Sequence, residues 1–235
     1  MRERRSRTRL PPGTVCYLCG KAISSDDEWN RDHVPPERFF GKSVKRVNEV
    51  DLRWLPTHVA CNSDYKHDEE YFVMALVGQQ PSAVARSVWD DISRGVKKGH
   101  GVGLLKTIVG QFGRVIGTDG SLLFALDSKR AGRIVWKLVR GISTLMSGEF
   151  MPEGLPRSIE FVPHSEGPKL KDHPWFWAVR DTPSLFHHAK VFDFKWLCVK
   201  DEDYRMNLVA LLLWDGLVIL VAFHDPTCPC AKCRT

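Results

Sequence analysis

The first ten residues, MRERRSRTRL, lack the apolar core that a secretory signal needs, and Arg2, Arg4, Arg5, Arg7 and Arg9 face a single acidic residue, Glu3. A mitochondrial presequence fits no better, because Pro11, Pro12 and Gly13 cut off any amphipathic helix. These absences lead to the expectation of an intracellular protein, most simply a bacterial cytoplasmic one, with residues 1–14 as a mobile basic arm. An uninterrupted membrane span is also missing. The nearest approach, MNLVALLLWDGLVILVAF, has Asp215 and Gly216 at its centre. Asp-Gly between two apolar, β-rich runs predicts a hairpin instead, with buried strands over 208–214 and 217–223 and positive φ at both turn residues. Internal repeats and low-complexity tracts beyond the arm are absent, which excludes a solenoid. Acidic residues are the scarcer charge, 28 against 34 basic ones for a net +6, and that balance favours a polyanionic partner. Aliphatic residues are few between residues 15 and 77, so this loop-rich stretch needs a staple to fold.

The staple is visible in the cysteines. There are seven, an odd number, and they cluster. In a cytoplasmic chain such clusters bind metal more often than they form disulfides. Cys16-x-x-Cys19 and His58-x-x-Cys61 are two ligand pairs with two-residue spacers, a tetrahedral zinc pattern. Three thiolates and an imidazole leave no open position, so this zinc would be structural. Cys228, Cys230 and Cys233 form a candidate second zinc group, with His224 or Cys198 as fourth ligand. His173, His187 and His188 read as surface histidines, and Trp175-Phe176-Trp177 as core or interface, with stacking on a nucleic-acid base left open.

Patterning divides the chain into the arm, a metal-braced unit over 15–80, a helix and linker over 81–103, and a larger region over 104–235. Residues 22–57 read as irregular apart from a short strand near 51–55, and a helix is predicted from Ala60 to Val77, ended by Gly78 and Pro81. Further helices are predicted over 82–95 and 128–146, the latter with Ile134, Leu138, Ile142 and Leu145 on one stripe. Residues 97–103, KKGHGVG, read as a flexible joint, and strands are predicted over 122–126, 159–162, 175–180 and 191–199. The fold class expected is α+β: a small zinc-braced unit followed by a larger α+β unit with an antiparallel sheet.

Inside the cysteine clamp lies Arg31-Asp32-His33-Val34-Pro35-Pro36, and Asn62 directly follows the last zinc ligand. The order C-x-x-C, D-H-V-P-P, H-x-x-C-N, D-E-E-Y-F over residues 15–72 resembles the HNH endonucleases, the ββα-metal nucleases, and more narrowly a bacterial group with these motifs. The resemblance implies a metal-dependent endonuclease acting on nucleic acid, DNA first and RNA not separated from it, with a role against foreign DNA as the analogy such proteins suggest. His33 would be the general base. Asp32 and Asn62 would hold a catalytic Mg²⁺ or Mn²⁺, with His67 as a further candidate ligand. Phosphodiester hydrolysis needs such a base near neutral pKa and a cation to meet developing charge. Since adjacent strand residues point to opposite faces, a bend between Asp32 and Pro35 is expected to bring the two side chains together. The chain departs from the group at His58, where cysteine is usual. The brace for the base-carrying loop stays open between Asn48 and Asp51. A reading of another class, a non-catalytic zinc ribbon that binds nucleic acid or protein, needs only Cys16, Cys19, His58 and Cys61.

The arm carries its own prediction. Deleting residues 1–10 is expected to weaken nucleic-acid binding across sequences and to flatten its salt dependence, since arginines there would contact phosphates without reading bases. Affinity measured over a range of salt checks this, and an unchanged slope would make the arm a bystander.

Overall fold

A computed structural model describes residues 10–48, 52–116, 122–163, 174–188, 190–200 and 205–224. Arg2, Arg4, Arg5, Arg7, Arg9, Asp51, His173, Cys228, Cys230 and Cys233 lie outside the described residues. The fold is mixed α+β. Residues 22–57, expected to be irregular apart from a short strand near 51–55, contain β1 (Trp29–His33), a 3-10 turn (Glu37–Phe39), α1 (Gly41–Asn48) and most of β2 (Trp54–His58), which overlaps the end of that expected strand. β1 and β2 pair antiparallel, with Trp29 opposite His58 and His33 opposite Trp54. The signal for this pair was masked because its partners are separated by a helix rather than a short turn. β2 runs straight into α2 (Val59–Val77), which matches the predicted helix. Every residue from Tyr71 to Val77 is buried, because α2 is covered on several sides.

Two helices follow, α3 (Ala83–Lys97) and α4 (Val102–Val109). The stretch between them, expected to be a flexible joint, is a turn closed by bonds from Lys98 N and His100 N to Gly95 O and from Gly99 N to Val96 O. A β3 (Phe112–Ile116) and β4 (Leu122–Phe124) pair leads to α5 (Ser128–Ser147), which the apolar stripe predicted within one residue at its C-terminal end. Asp127 caps its start by accepting from Arg130 N at 3.1 Å.

The remainder is β5 (Arg157–Pro163), α6 (Pro174–Arg180), β6 (Ser184–His188), β7 (Phe192–Lys200), β8 (Arg205–Leu213) and β9 (Leu217–His224). The strands form one antiparallel sheet in the order β5-β9-β8-β7-β6. One face, with Phe194, Leu211, Ile219 and Phe223, joins the main core; the other, with Leu208 and Ala222, packs under Val179 of α6. Both faces are covered, which explains the near-continuous apolar runs that imitate a membrane segment. No helix among the described residues is long and apolar enough to cross a membrane.

Two sequence expectations are corrected here. Residues 175–180 form a helix, not a strand: Pro174 presets the helical φ at the first position, and Val179 is buried against the sheet. Aromatic β-propensity lost to that packing. The hairpin turn is displaced by one residue. Positive φ occurs at Trp214 and Asp215, both 51°, and not at Gly216. The cause is Trp214, whose fully buried indole lies 5.6 Å from the Phe39 ring and donates to Phe39 O at 2.8 Å, while its carbonyl accepts from Ser82 Oγ. At Gly216 a Cβ would meet Gln80 Oε1 at 2.9 Å, so the end of the Gln80 side chain would have to shift.

One apolar cluster therefore runs from Cys16 and Tyr17 through Phe39, Phe72, Ile134 and Leu138 to Trp214 and Phe223, without a break near residues 80 or 103. Trp214→Ala is expected to cost about 3–5 kcal/mol of stability in denaturant unfolding, from the cavity and the lost indole bond. A loss below about 1 kcal/mol would contradict this packing.

Candidate metal centre and the adjoining cavity

Around Cys16 the chain folds back on itself: Gly20 N donates to Cys16 O at 2.8 Å, Cys16 N to Lys21 O at 2.9 Å, and Val15 bridges Ala22. This knuckle presents Cys16 and Cys19 to His58, the last residue of β2, and to Cys61 in the first turn of α2. The four ligand atoms lie within 4.8 Å of one another, so the group can hold a metal ion. Cys19 Sγ is 3.4 Å and Cys61 Sγ 3.9 Å from His58 Nδ1. A tetrahedral ion with ordinary metal–sulfur and metal–nitrogen bonds sets these separations at about 3.6 Å. His58 Nε2 lies 3.6 Å from Asp27 Oδ2, so a carboxylate orients the ring from behind. Burial and the neighbouring Cys16 and Cys19 push the Cys61 thiol up to about 12. Burial works the same way on Cys19, but the Lys21 N–H and the surrounding Cys16, His58 and Cys61 bring it below the usual thiol range. A bound cation would displace the protons that the cluster otherwise holds.

Beside this cluster opens a cavity of about 370 Å³ lined by His33 and Asn62 together with Asp32, Glu37 and Glu69. Residues 32, 33 and 62 thus line one cavity. His33 closes β1, and its Nε2 lies 3.6 Å from Glu37 Oε1. Arg31, Arg38 and Lys66 bring positive charge to the wall. His67 is not among the lining residues; it is exposed on α2, with its carbonyl held by Arg130.

The contacts of Asp32 and Asn62 differ from expectation. Asp32 is only 6% exposed, and its Oδ2 accepts from Tyr17 OH at 2.6 Å and from Lys137 Nζ at 2.8 Å. Asn62 Nδ2 donates to Asn30 Oδ1 at 3.3 Å, an oxygen that also accepts from Thr57 Oγ1, and Asn62 Oδ1 accepts from Lys137 Nζ at 3.3 Å. Lys137 Nζ also contacts Glu69 Oε1. Burial works to lower the Lys137 pKa, but Asp32 and Glu69 outweigh it and raise it, so the ammonium stays charged. Burial, with the Asp32 charge, lifts Tyr17 well above the usual phenol range and keeps its hydroxyl a donor. The residues that the resemblance assigns to a divalent ion therefore do not fit one: the space between Asp32 and Asn62 holds an ammonium.

Lys137, Tyr17 and Arg140 were missed by sequence reasoning, and Glu69 entered it only as part of the D-E-E-Y-F motif. One signal was available, the cationic row Arg130, Arg133, Lys137, Arg140 beside the apolar stripe of α5. Arg130 and Arg133 pair with Asp68, and Arg133 also with Asp64. Arg140, fully buried, donates from Nε to Met151 O at 2.9 Å and from NH2 to Tyr17 O and Leu18 O at 3.2 and 2.6 Å, closing the knuckle from behind. Gly141 allows that approach, since a Cβ there would meet Val34 Cγ2 at 2.9 Å. The remaining histidine and cysteine candidates sit elsewhere. Exposed His187 lies 3.9 Å from Asp193, His188 sets its ring edge to Phe40, and Cys198 is exposed on β7.

Compared with protein-family models, with curated proteins and with solved structures, the chain matches none.

The cluster yields a stability prediction. A metal ion that binds only the folded chain stabilises it by about 4 kcal/mol at a thousandfold excess over its Kd. Cys61→Ser is therefore expected to lower the unfolding midpoint and to abolish its dependence on added metal. A variant that unfolds like the parent, with the same metal content by elemental analysis, would remove the ion from the account.

Proposed function

We propose that this chain is an HNH-type nuclease that hydrolyses nucleic-acid phosphodiester bonds, DNA first, with His33 as general base. The observation that carries the reading is the sharing of one cavity by His33 and Asn62 on a β-pair followed by a helix, beside a separate Cys/His cluster. Zinc is the ion best suited to that cluster, because three thiolates and one imidazole close a tetrahedral shell. It would brace the knuckle and take no part in the chemistry.

In this reading a water held in the cavity gives a proton to His33 as its oxygen attacks phosphorus, the P–O bond to the leaving sugar breaks, that oxygen takes a proton from solvent water, and His33 returns its own proton to solvent. Glu37 Oε1, 3.6 Å from His33 Nε2, orients the ring. Charge on the phosphate is met by Arg31, Arg38 and Lys66 on the cavity wall. The Lys137 ammonium lies between Asp32 and Asn62, so these two residues hold no Mg²⁺ or Mn²⁺ in this reading.

A second reading, a non-catalytic metal-braced module that binds nucleic acid or protein, is favoured by that same engagement of Asp32 and Asn62. His33→Ala separates the two. It is expected to cut cleavage of plasmid, single-stranded DNA or RNA by about 10²–10⁴-fold while leaving metal content and nucleic-acid affinity unchanged. Cleavage as fast as the parent's would remove His33 as base, and a parent that binds but cuts none of the three would leave the module.

A further inference from the structure

Lys137 belongs to α5, 75 residues beyond Asn62, yet its ammonium sits where two cavity-lining carboxylates and an amide converge. Three acceptors surround it, Asp32 Oδ2 at 2.8 Å, Asn62 Oδ1 at 3.3 Å and Glu69 Oε1, and they match the three N–H donors that an ammonium has. The side chain is 2% exposed, so water does not compete for those donors. The acceptors are themselves fixed. Tyr17 OH holds the same Asp32 oxygen, and Asn30, itself held by Thr57, turns the Asn62 amide so that its oxygen faces Lys137. The helix cannot withdraw the charge without other losses, because Arg140 is tied to Tyr17 O, Leu18 O and Met151 O and Arg133 to Asp68.

We propose that Lys137 is the resident cation of this centre, a tethered single charge in the place of a divalent ion, and that neither Mg²⁺ nor Mn²⁺ binds between Asp32 and Asn62. Its use in hydrolysis rests on the nuclease reading; its occupation of the position does not. Lys137 touches Asp32, Glu69 and Asn62 and does not line the cavity, so it is a positioning residue. It neutralises one of the two cavity-lining carboxylates that it touches and fixes both, and the phosphate itself falls to Arg31, Arg38 and Lys66. Cleavage by the parent is then independent of added divalent ions.

The test titrates MnCl₂ into zinc-loaded full-length protein in divalent-free buffer and follows free Mn²⁺ by its paramagnetic resonance signal. Mn²⁺ lies lowest in the divalent affinity order and does not displace zinc from three thiolates. The parent is expected to take up no Mn²⁺ that Asp32→Asn removes. Lys137→Ala, which leaves both carboxylates and the amide without their cation, is expected to gain one Mn²⁺ site that the parent lacks, lost again in Lys137→Ala/Asp32→Asn. Mn²⁺ uptake by the parent that Asp32→Asn abolishes would overturn the proposal, as would a folded Lys137→Ala that gains nothing. Where Lys137→Ala does not fold, Lys137→Met keeps the volume, and the parent titration with its Asp32→Asn control decides alone. Failure of the nuclease reading shows separately, as absence of cleavage with or without Mn²⁺.

Discussion

Two charges that water cannot reach, the Lys137 ammonium and the Arg140 guanidinium, stand three residues apart on α5. A buried charge is tolerable only when paired and hydrogen-bonded: Lys137 draws its partners from β1 and α2, and Arg140 from the knuckle carbonyls and Met151 O, with Glu153 3.9 Å from its guanidinium. The angle and depth at which α5 lies are set by that requirement. Aligned with the same row, Arg130 and Arg133 take the acidic side of α2. The metal-ligand cluster and the His33 cavity are thus held from behind by a helix that contributes a residue to neither.

The apolar side of α5 serves the opposite surface. Ile134, Leu138 and Ile142 belong to the cluster that continues into Phe194, Ile219 and Phe223 of the sheet. The sheet backs the site without approaching its chemistry, and Trp214 closes the arrangement by reaching from the hairpin to Phe39 and Phe72. Replacing Lys137 would leave Asp32 and Glu69 largely buried without their shared cation, whereas loss of either carboxylate still leaves the ammonium one partner.

Much of this was legible in the sequence where the determining interactions are local. The two ligand pairs are read from their spacing because a knuckle and a helix turn are each only a few residues long. α2 was read from its stop signals Gly78 and Pro81, α5 from periodicity, and the long strands of the hairpin from their apolar runs. The elements that were not read depend on distant partners. Lys137 looks like any cation on an amphipathic helix until Asp32 and Glu69 are placed beside it. Residues 174–180 carry strand-forming aromatics, and only the seat of Val179 on the sheet makes them a helix. The turn moved to Trp214-Asp215 because an indole with a cavity to fill outweighed the preference of glycine for positive φ.

The bonds from Arg140 to Tyr17 and Leu18 span 123 and 122 residues, and the bond from Trp214 to Phe39 spans 175. Closing loops of that size precedes any gain from the contacts they bring, which places this fold among topologies that assemble slowly. During synthesis residues 16–61 leave the ribosome long before α5 and the hairpin that cover them, and Phe39, Phe40 and Phe72 wait uncovered in that interval. An ion taken up by Cys16, Cys19, His58 and Cys61 needs nothing beyond residue 61, so it can give this segment its shape early and shorten the time for which its apolar side chains are open to other chains.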